Sequence, residues 1–178
     1  NALEEYKLSH ITSSNFFDID KNSNQNTNLP HMLPSMKEWE NIVSNLGINN
    51  SDHVIVYDNS DVFSSCRVWY TFLYFGHNPE LISVLDGNFE KWKSEKRSIS
   101  QEIKKINKSN YIANENLQLV LSKDQINKNI ISKKFQLIDA RGEKRFLGLQ
   151  PEPRKELRSG NIKGSKNLPF QELINNMK

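Results

Sequence analysis

Cationic side chains are concentrated in one stretch of this 178-residue chain, residues 137–170. The stretch opens with an apolar run that ends at Asp139, as a buried parallel strand does where it meets a functional loop. Guanidinium groups bind carboxylates and related anions through paired hydrogen bonds, so the loop suits a small anion. A solvated loop paired with Glu143, Glu152 and Glu156 is the alternative. The cations are Arg141, Lys144, Arg145, Arg154, Lys155 and Arg158.

A histidine and a cysteine in the first half of the chain are further candidates for chemistry. His31 could transfer protons near neutral pH, although a histidine beside Met32 and Leu33 is more often a packed or surface residue. Cys66 precedes a predicted helix, where thiolates are favoured, but a lone cysteine in apolar surroundings is more often a small core residue. With one cysteine and four scattered histidines, the sequence shows no metal-ligand spacing.

Composition limits the classes of partner and compartment. The net charge of +3 comes from 24 basic and 21 acidic residues spread along the chain, which does not indicate a nucleic-acid surface. No apolar run approaches the roughly 20 residues of a membrane span. The single cysteine excludes an internal disulfide and favours a reducing compartment such as the cytoplasm. Because the chain begins at Asn1 without a leader pattern, we expect its natural N-terminus to lie elsewhere.

Strand and helix patterns alternate along the first half. Ser35 and Glu38 form a capping-box pattern before an amphipathic helix that ends at Gly47. His53–Asp58 reads as a strand buried on both faces, and 68–76 as a helix closed by glycine. A strand over Leu81–Leu85 and a helix containing Trp92 follow. This alternation favours parallel pairing with helices on both faces of a sheet, and it places the tryptophans Trp39, Trp69 and Trp92 in the core.

Motifs along nearly the whole chain resemble those of one family. The second half contains DAR (139–141), RFLG (145–148), EPR (152–154) and NLPF (167–170). The first half contains HITSSNFFDID (10–20), LPHMLPS (29–35), HVIVYD (53–58), RVWYTFLYFGH (67–77) and LISVLDGNFEKW (81–92). In this order they resemble the tandem-domain rhodanese family of sulfurtransferases.

The resemblance implies an α/β rhodanese-like fold: a parallel sheet with helices on both faces, in two tandem copies that are both incomplete. An internal echo supports two copies, because HITSSNFF at 10–17 is similar to NIKGSKNLPF at 161–170. We expect a fragment with an inactive N-terminal domain over 1–97, a linker over 98–122, and the first part of the catalytic domain over 123–178.

Site residues follow from the resemblance. The family forms a persulfide on a cysteine at the strand end where Asp58 stands in the first copy, and a carboxylate cannot carry sulfane sulfur. The nucleophile is therefore expected outside this chain. Arg145 and Arg154 match arginines that hold the sulfur donor, and Arg154 is typical of members that prefer mercaptopyruvate. Asp20 and His31 match two members of a proposed relay, whose third member is a serine outside this chain.

The expected activity is transfer of sulfane sulfur from 3-mercaptopyruvate to cyanide or to a thiol acceptor such as thioredoxin or glutathione. The resemblance implies no metal or organic cofactor and no nucleic-acid or membrane partner. Location in the cytoplasm is expected, or in mitochondria if the source is eukaryotic. The alternatives are a thiosulfate sulfurtransferase and a non-catalytic rhodanese-like module that binds a partner or an anion.

Overall fold

The computed structural model describes residues 1–60, 63–153 and 157–174, which form two compact units, Asn1–Val120 and Leu121–Lys178. The elements of the first unit are α1 (Ala2–Leu8), β1 (His10–Ile11), α2 (Met36–Asn45), β2 (Val54–Val56), α3 (Ser64–Tyr74), β3 (Ile82–Val84), α4 (Asn88–Ser94) and β4 (Ile99–Ser100), with 3-10 turns at Pro79–Leu81 and Leu117–Leu119. Those of the second are α5 (Lys123–Ser132), β5 (Ile138–Asp139), α6 (Glu143–Phe146), β6 (Lys166–Asn167) and a 3-10 turn at Phe170–Leu173.

Local sequence signals set the ends of the main helices. The hydroxyl of Ser35 accepts a hydrogen bond from the amide of Glu38, whose carboxylate accepts one from the Ser35 amide, and this capping box starts α2 as predicted. Gly47 and Gly76 follow α2 and α3 with φ of 72° and 79°, a left-handed conformation that a Cβ would strain. A second capping box, between Ser122 and Gln125, starts α5.

Aromatic side chains of α2 and α3 form the core of the first unit. The Trp39 ring stacks on Phe75 with centroids 5.1 Å apart and meets the edge of Phe72 at 5.0 Å. Val43 and Val68 complete the contact between the two helices. Such burial of large apolar surface, rather than helix propensity, supplies most of the stability of short helices.

Two of the strand pairs are parallel, as the α/β pattern predicts. In the first unit β2 pairs with β3, with Val54 opposite Ile82 and Val56 opposite Val84. In the second unit β5 pairs with β6, with Ile138 opposite Lys166. The pair β1–β4 is antiparallel and departs from the predicted all-parallel sheet, because β4 returns alongside the start of the chain rather than crossing over through a helix.

The prediction that residues 53–58 are buried on both faces is wrong at Ile55, which is 59% exposed. Successive side chains of a strand point to opposite faces, so Val54 and Val56 reach the core while Ile55 points away from it. The run of three β-branched residues in β2 therefore did not show whether one or both faces of the strand are buried.

Two other core predictions are also wrong. Cys66 is exposed, because its position on the first turn of α3 points away from the contact with α2. Trp92 is half-buried rather than core: its indole N–H donates to the Ser98 carbonyl at 2.9 Å, and the Arg97 guanidinium lies 5.2 Å from its ring centre. Trp39 is fully buried as predicted, and Trp69 packs partly buried against the core.

The segment predicted as a linker, 98–122, packs largely on the first unit. The Ser109 amide donates at 3.0 Å to the Ser44 carbonyl in the last turn of α2, which also accepts from the Gly47 amide. The Tyr111 amide donates to the Ser44 hydroxyl at 3.0 Å, and the Tyr111 ring lies in the core with 2% exposure. Tyr111 and Ala113 are buried apolar residues at i and i+2 of this segment. Two such residues among lysines and asparagines are too weak a pattern to predict from sequence that the segment packs on a core.

We expect Tyr111→Ala to lower the free energy of unfolding by about 3–5 kcal/mol, because it leaves a cavity against Phe72 and His77. The matched control is Ile112→Ala, at a neighbouring side chain that is 64% exposed, with an expected change within about 0.5 kcal/mol. Urea unfolding followed by tryptophan fluorescence measures both. Equal, small effects would show that the segment does not belong to the first unit's cooperative core.

Candidate functional site

At the carboxyl end of β2, the Asp58 carboxylate organises the loop that leads into α3. Its Oδ2 accepts hydrogen bonds from the hydroxyls of Ser60 and Ser64, at 3.0 and 2.8 Å, and from the backbone amide of Ser65 at 2.8 Å. The N-terminus of a helix favours negative charge, because its first amides lack backbone partners. The anion position at the start of α3 is therefore filled by the protein's own carboxylate.

Asp20 and His31 are in contact in the first unit. His31 Nε2 lies 2.7 Å from Asp20 Oδ1, in a pair whose side chains are 44% and 79% exposed, respectively. The loop between them is closed by a hydrogen bond from the Asn24 amide to the Met32 carbonyl at 2.9 Å. Exposed ion pairs contribute little to stability. The contact brings together the two residues predicted for a relay; that role stays a prediction.

A network of arginines and carboxylates follows β5 in the second unit. Arg141 binds Asp139 through two hydrogen bonds, Nε to Oδ1 at 2.9 Å and Nη2 to Oδ2 at 2.6 Å. Its Nη1 donates to Glu152 Oε1 at 2.7 Å, and Nη2 also donates to the Gly160 carbonyl at 2.7 Å. Since these bonds occupy all three guanidinium nitrogens, Arg141 holds the loop rather than offering itself to a ligand.

Arg145 shares the same carboxylate. Its Nε and Nη2 both face Glu152, with Nε 3.4 Å from Oε1 and Nη2 bonded to Oε2. The Glu152 side chain is only 2% exposed, whereas Arg145 is about one-third exposed. Of the three acidic residues considered from sequence for this loop, Glu152 is thus the one observed to pair with Arg145; Glu156 lies outside the described residues. Within the described residues the Arg145 Nη1 makes no hydrogen bond, so one edge of this guanidinium remains for an anionic ligand.

Hydrogen bonds within the network favour the ionised forms of Asp139, Arg141 and Glu152. Hydrogen bonds from Arg141 hold the pKa of the Asp139 carboxyl below its ordinary value, and those from Arg145 do the same to the pKa of Glu152. The bonds to Asp139 raise the pKa of Arg141. The two carboxylates balance the two guanidiniums, so a bound anion would bring an uncompensated negative charge. A further cation close by would strengthen its binding.

Arg154, the other predicted donor-binding arginine, lies outside the described residues. Sequence reasoning missed a different arginine, Arg67, whose Nη2 donates to the His31 carbonyl at 2.7 Å. The only signal for it was its place in the first turn of α3. In the described ranges, no cluster of three or more His, Cys, Asp or Glu side chains could hold a metal ion, and no helix is long and apolar enough to cross a membrane.

Comparison with known proteins gives a consistent family. The model of the rhodanese-like domain matches residues 2–95. The chain is 38% identical to thiosulfate/3-mercaptopyruvate sulfurtransferase 1, mitochondrial, from Arabidopsis thaliana, covering 98% of this chain and 51% of the relative. It is 39% identical to the thiosulfate sulfurtransferase of Mus musculus, covering 97% of this chain and 59% of the relative.

A solved structure agrees with the sequence comparison. SseA from Escherichia coli, a 3-mercaptopyruvate sulfotransferase of the rhodanese fold, superposes with a TM-score of 0.88 at 30% identity, covering 100% of this chain and 66% of that one. The chain belongs to the rhodanese-like family. It spans between 51% and 59% of the length of these curated relatives.

We expect Asp139→Asn to lower the free energy of unfolding of the second unit by about 1–3 kcal/mol at pH 7. Because folding lowers the pKa of Asp139, this stabilisation is complete above the unfolded-state pKa and is lost as the pH falls through the folded-state value. The difference from the wild type should therefore shrink toward zero as the pH falls below the folded-state pKa of Asp139.

The measurement is urea unfolding at several pH values, read from amide resonances of the second unit. Asp124→Asn, at an exposed carboxylate in the first turn of α5, is the matched control. A loss for Asp139→Asn that stays constant with pH would exclude the ionised pair as its cause.

Proposed function

We propose that this chain provides the inactive first domain and the donor-binding segment of a sulfurtransferase that acts on 3-mercaptopyruvate. The observation that carries the proposal is the match, over 98% of the chain, to relatives from Arabidopsis thaliana and Rattus norvegicus whose names include 3-mercaptopyruvate sulfurtransferase. The nucleophilic cysteine is assigned to sequence beyond this chain, because Asp58 occupies the corresponding strand end here.

The proposed reaction has two half-steps. A cysteine thiolate attacks the donor sulfur, the carbon–sulfur bond breaks, and its electron pair leaves with pyruvate as the enolate, which then takes a proton. The enzyme is left with a persulfide. An acceptor thiolate, such as that of thioredoxin or glutathione, or cyanide, then attacks the outer sulfur and regenerates the cysteine thiolate.

Arg145 and Arg154 are proposed to bind the donor carboxylate and to stabilise the developing oxyanion. Glu152 supports this role for Arg145 by holding its Nε and Nη2, which leaves Nη1 in a defined direction. The balanced charge of the network argues for a second cation, and Arg154 is two positions from Glu152 in sequence. Asp20 and His31 are proposed as a proton relay, completed by a serine of the catalytic domain.

A thiosulfate sulfurtransferase is the second candidate, favoured by the 39% identity to the mouse enzyme of that name. Thiosulfate is an anion without a carboxylate, so its binding would need Arg145 but would profit less from a second guanidinium. For location we propose the cytoplasm, or mitochondria if the source is eukaryotic; the Arabidopsis thaliana relative is named as mitochondrial.

The first expectation is that the 178-residue chain alone shows no sulfurtransferase turnover with either donor, because it lacks the persulfide-forming cysteine. Pyruvate release from mercaptopyruvate and thiocyanate formation from thiosulfate and cyanide are the assays. Cys66→Ala is the control. Turnover above the blank that disappears in this variant would show that Cys66 acts as the nucleophile.

The second expectation concerns donor choice in the full-length protein. Hydrogen bonds to charged groups contribute about 1.5–3 kcal/mol, so Arg154→Ala should lower kcat/KM for mercaptopyruvate roughly 10- to 100-fold and affect thiosulfate less. Arg145→Ala should impair both donors, and His31→Ala mainly mercaptopyruvate. Steady-state kinetics with each donor measure all three.

Arg158→Ala, which removes a cation from the same loop, is the matched control for Arg154→Ala. Equal losses for both donors in Arg154→Ala, or unchanged mercaptopyruvate kinetics, would contradict the donor assignment and favour thiosulfate.

A further inference from the structure

Arg67 is a partly buried cation that the proposed chemistry does not use. It lies in the first turn of α3, and its Nη2 donates to the backbone carbonyl of His31 at 2.7 Å. Burial lowers the pKa of the guanidinium, and within the described residues no carboxylate forms an ion pair with it to offset that burial. Burying an unpaired charge costs free energy, so a contact made at that cost calls for a role.

The residue that Arg67 holds has an unfavourable backbone conformation. His31 has φ of 56°, in the left-handed region that costs a non-glycine residue on the order of 1 kcal/mol. The next carbonyl, that of Met32, is held by the Asn24 amide at 2.9 Å. With both carbonyls held, the direction of the His31 side chain toward Asp20 is set by these bonds rather than by the local preference of the chain.

The anchor itself is rigid. The helix that carries Arg67 is fixed at its start by the Asp58 carboxylate, through Ser64 and Ser65, and along its length by Val68 and Phe72 in the core. The Thr71 hydroxyl donates to the Arg67 carbonyl at 2.8 Å. The Arg67 guanidinium thus ties the exposed loop that contains His31 to a helix whose position is set by the core.

We infer that Arg67 is a positioning residue for the Asp20–His31 pair, holding the imidazole in the direction that the relay needs. The inference rests on the proposed function, in which this pair moves a proton during mercaptopyruvate turnover. Arg67 does not itself contact the donor. Its effect passes through the His31 carbonyl and is therefore separable from that of Arg145.

Kinetics in the full-length protein test the role. Arg67→Met keeps the apolar stem but removes the donor, and we expect kcat for mercaptopyruvate to fall about 10- to 100-fold while KM changes less than about twofold, because misplaced catalytic groups slow the chemical step. In a His31→Ala background the same substitution should have no further effect. If Arg67→Met lowered kcat by the same factor in the wild-type protein and in the His31→Ala variant, the inference would be overturned.

Two further variants separate positioning from general destabilisation. Arg67→Lys retains a donor and should recover part of the lost kcat. Arg97→Met removes an exposed arginine whose Nε is paired with Glu95 at 2.5 Å, and it should leave kcat unchanged. If Arg67→Met unfolds the protein, Arg67→Lys provides the test instead. A folded Arg67→Lys variant whose kcat is no higher than that of His31→Ala would contradict the inference.

A readout without turnover distinguishes failure of this inference from failure of the proposed function. In the 178-residue chain, the ring resonances of His31 should shift in Arg67→Met and in Asp20→Asn, but not in Arg97→Met. Unchanged His31 resonances in Arg67→Met would overturn the positioning role whatever the kinetics show. If the His31 resonances shift but His31→Ala turns over mercaptopyruvate as fast as the wild type, the proposed relay role of Asp20 and His31 is wrong instead.

Discussion

The negative charge at the start of α3 is the constraint on which the first unit depends. Asp58 receives an amide hydrogen bond and two hydroxyl hydrogen bonds there, and those from Ser64 and Ser65 fix the start of α3 to the residue that closely follows β2. That geometry sets the rotation of α3, which places Phe72 against Trp39 in the core and Arg67 beneath the His31 loop. The Asp58 carboxylate thus joins the end of β2 to the start of α3.

The second unit is ordered with little burial of apolar side chains. Among its described residues the one that is buried as a whole is polar, Asn129, whose amide group makes two hydrogen bonds to the Phe135 backbone. Order around β5 comes from the Asp139–Arg141–Glu152–Arg145 network instead. Each of these charges has a partner, which is the condition under which partly buried ions are tolerated. The same pairing limits which guanidinium edge a ligand can reach.

Much of this organisation could be predicted from sequence. The capping box at Ser35, the glycine ends of two helices and the alternation of strands and helices are local signals, and each is confirmed. The internal echo also has a structural counterpart. Ser14 and Ser165 each donate an amide hydrogen bond to the isoleucine three residues earlier, in turns whose third residue has positive φ.

What the sequence could not provide depends on contacts between distant segments. The burial of Tyr111, the exposure of Ile55 and the link from Arg67 to His31 each require knowing which elements meet. The partner of Arg145 stayed open for the same reason, since the loop contains several acidic residues and its sequence does not show which of them Arg145 meets. Resemblance to a family named the candidate residues, but only the folded chain shows that Asp20 and His31 touch.

The most direct test of sulfur transfer through a cysteine outside this chain is mass spectrometry of the full-length protein after brief exposure to 3-mercaptopyruvate, without an acceptor. We predict one added sulfur atom, on a peptide other than the one that contains Cys66, and its loss when a thiol acceptor is added. An added sulfur on Cys66, or a protein that gains no sulfur while mercaptopyruvate is present in excess, would contradict this account.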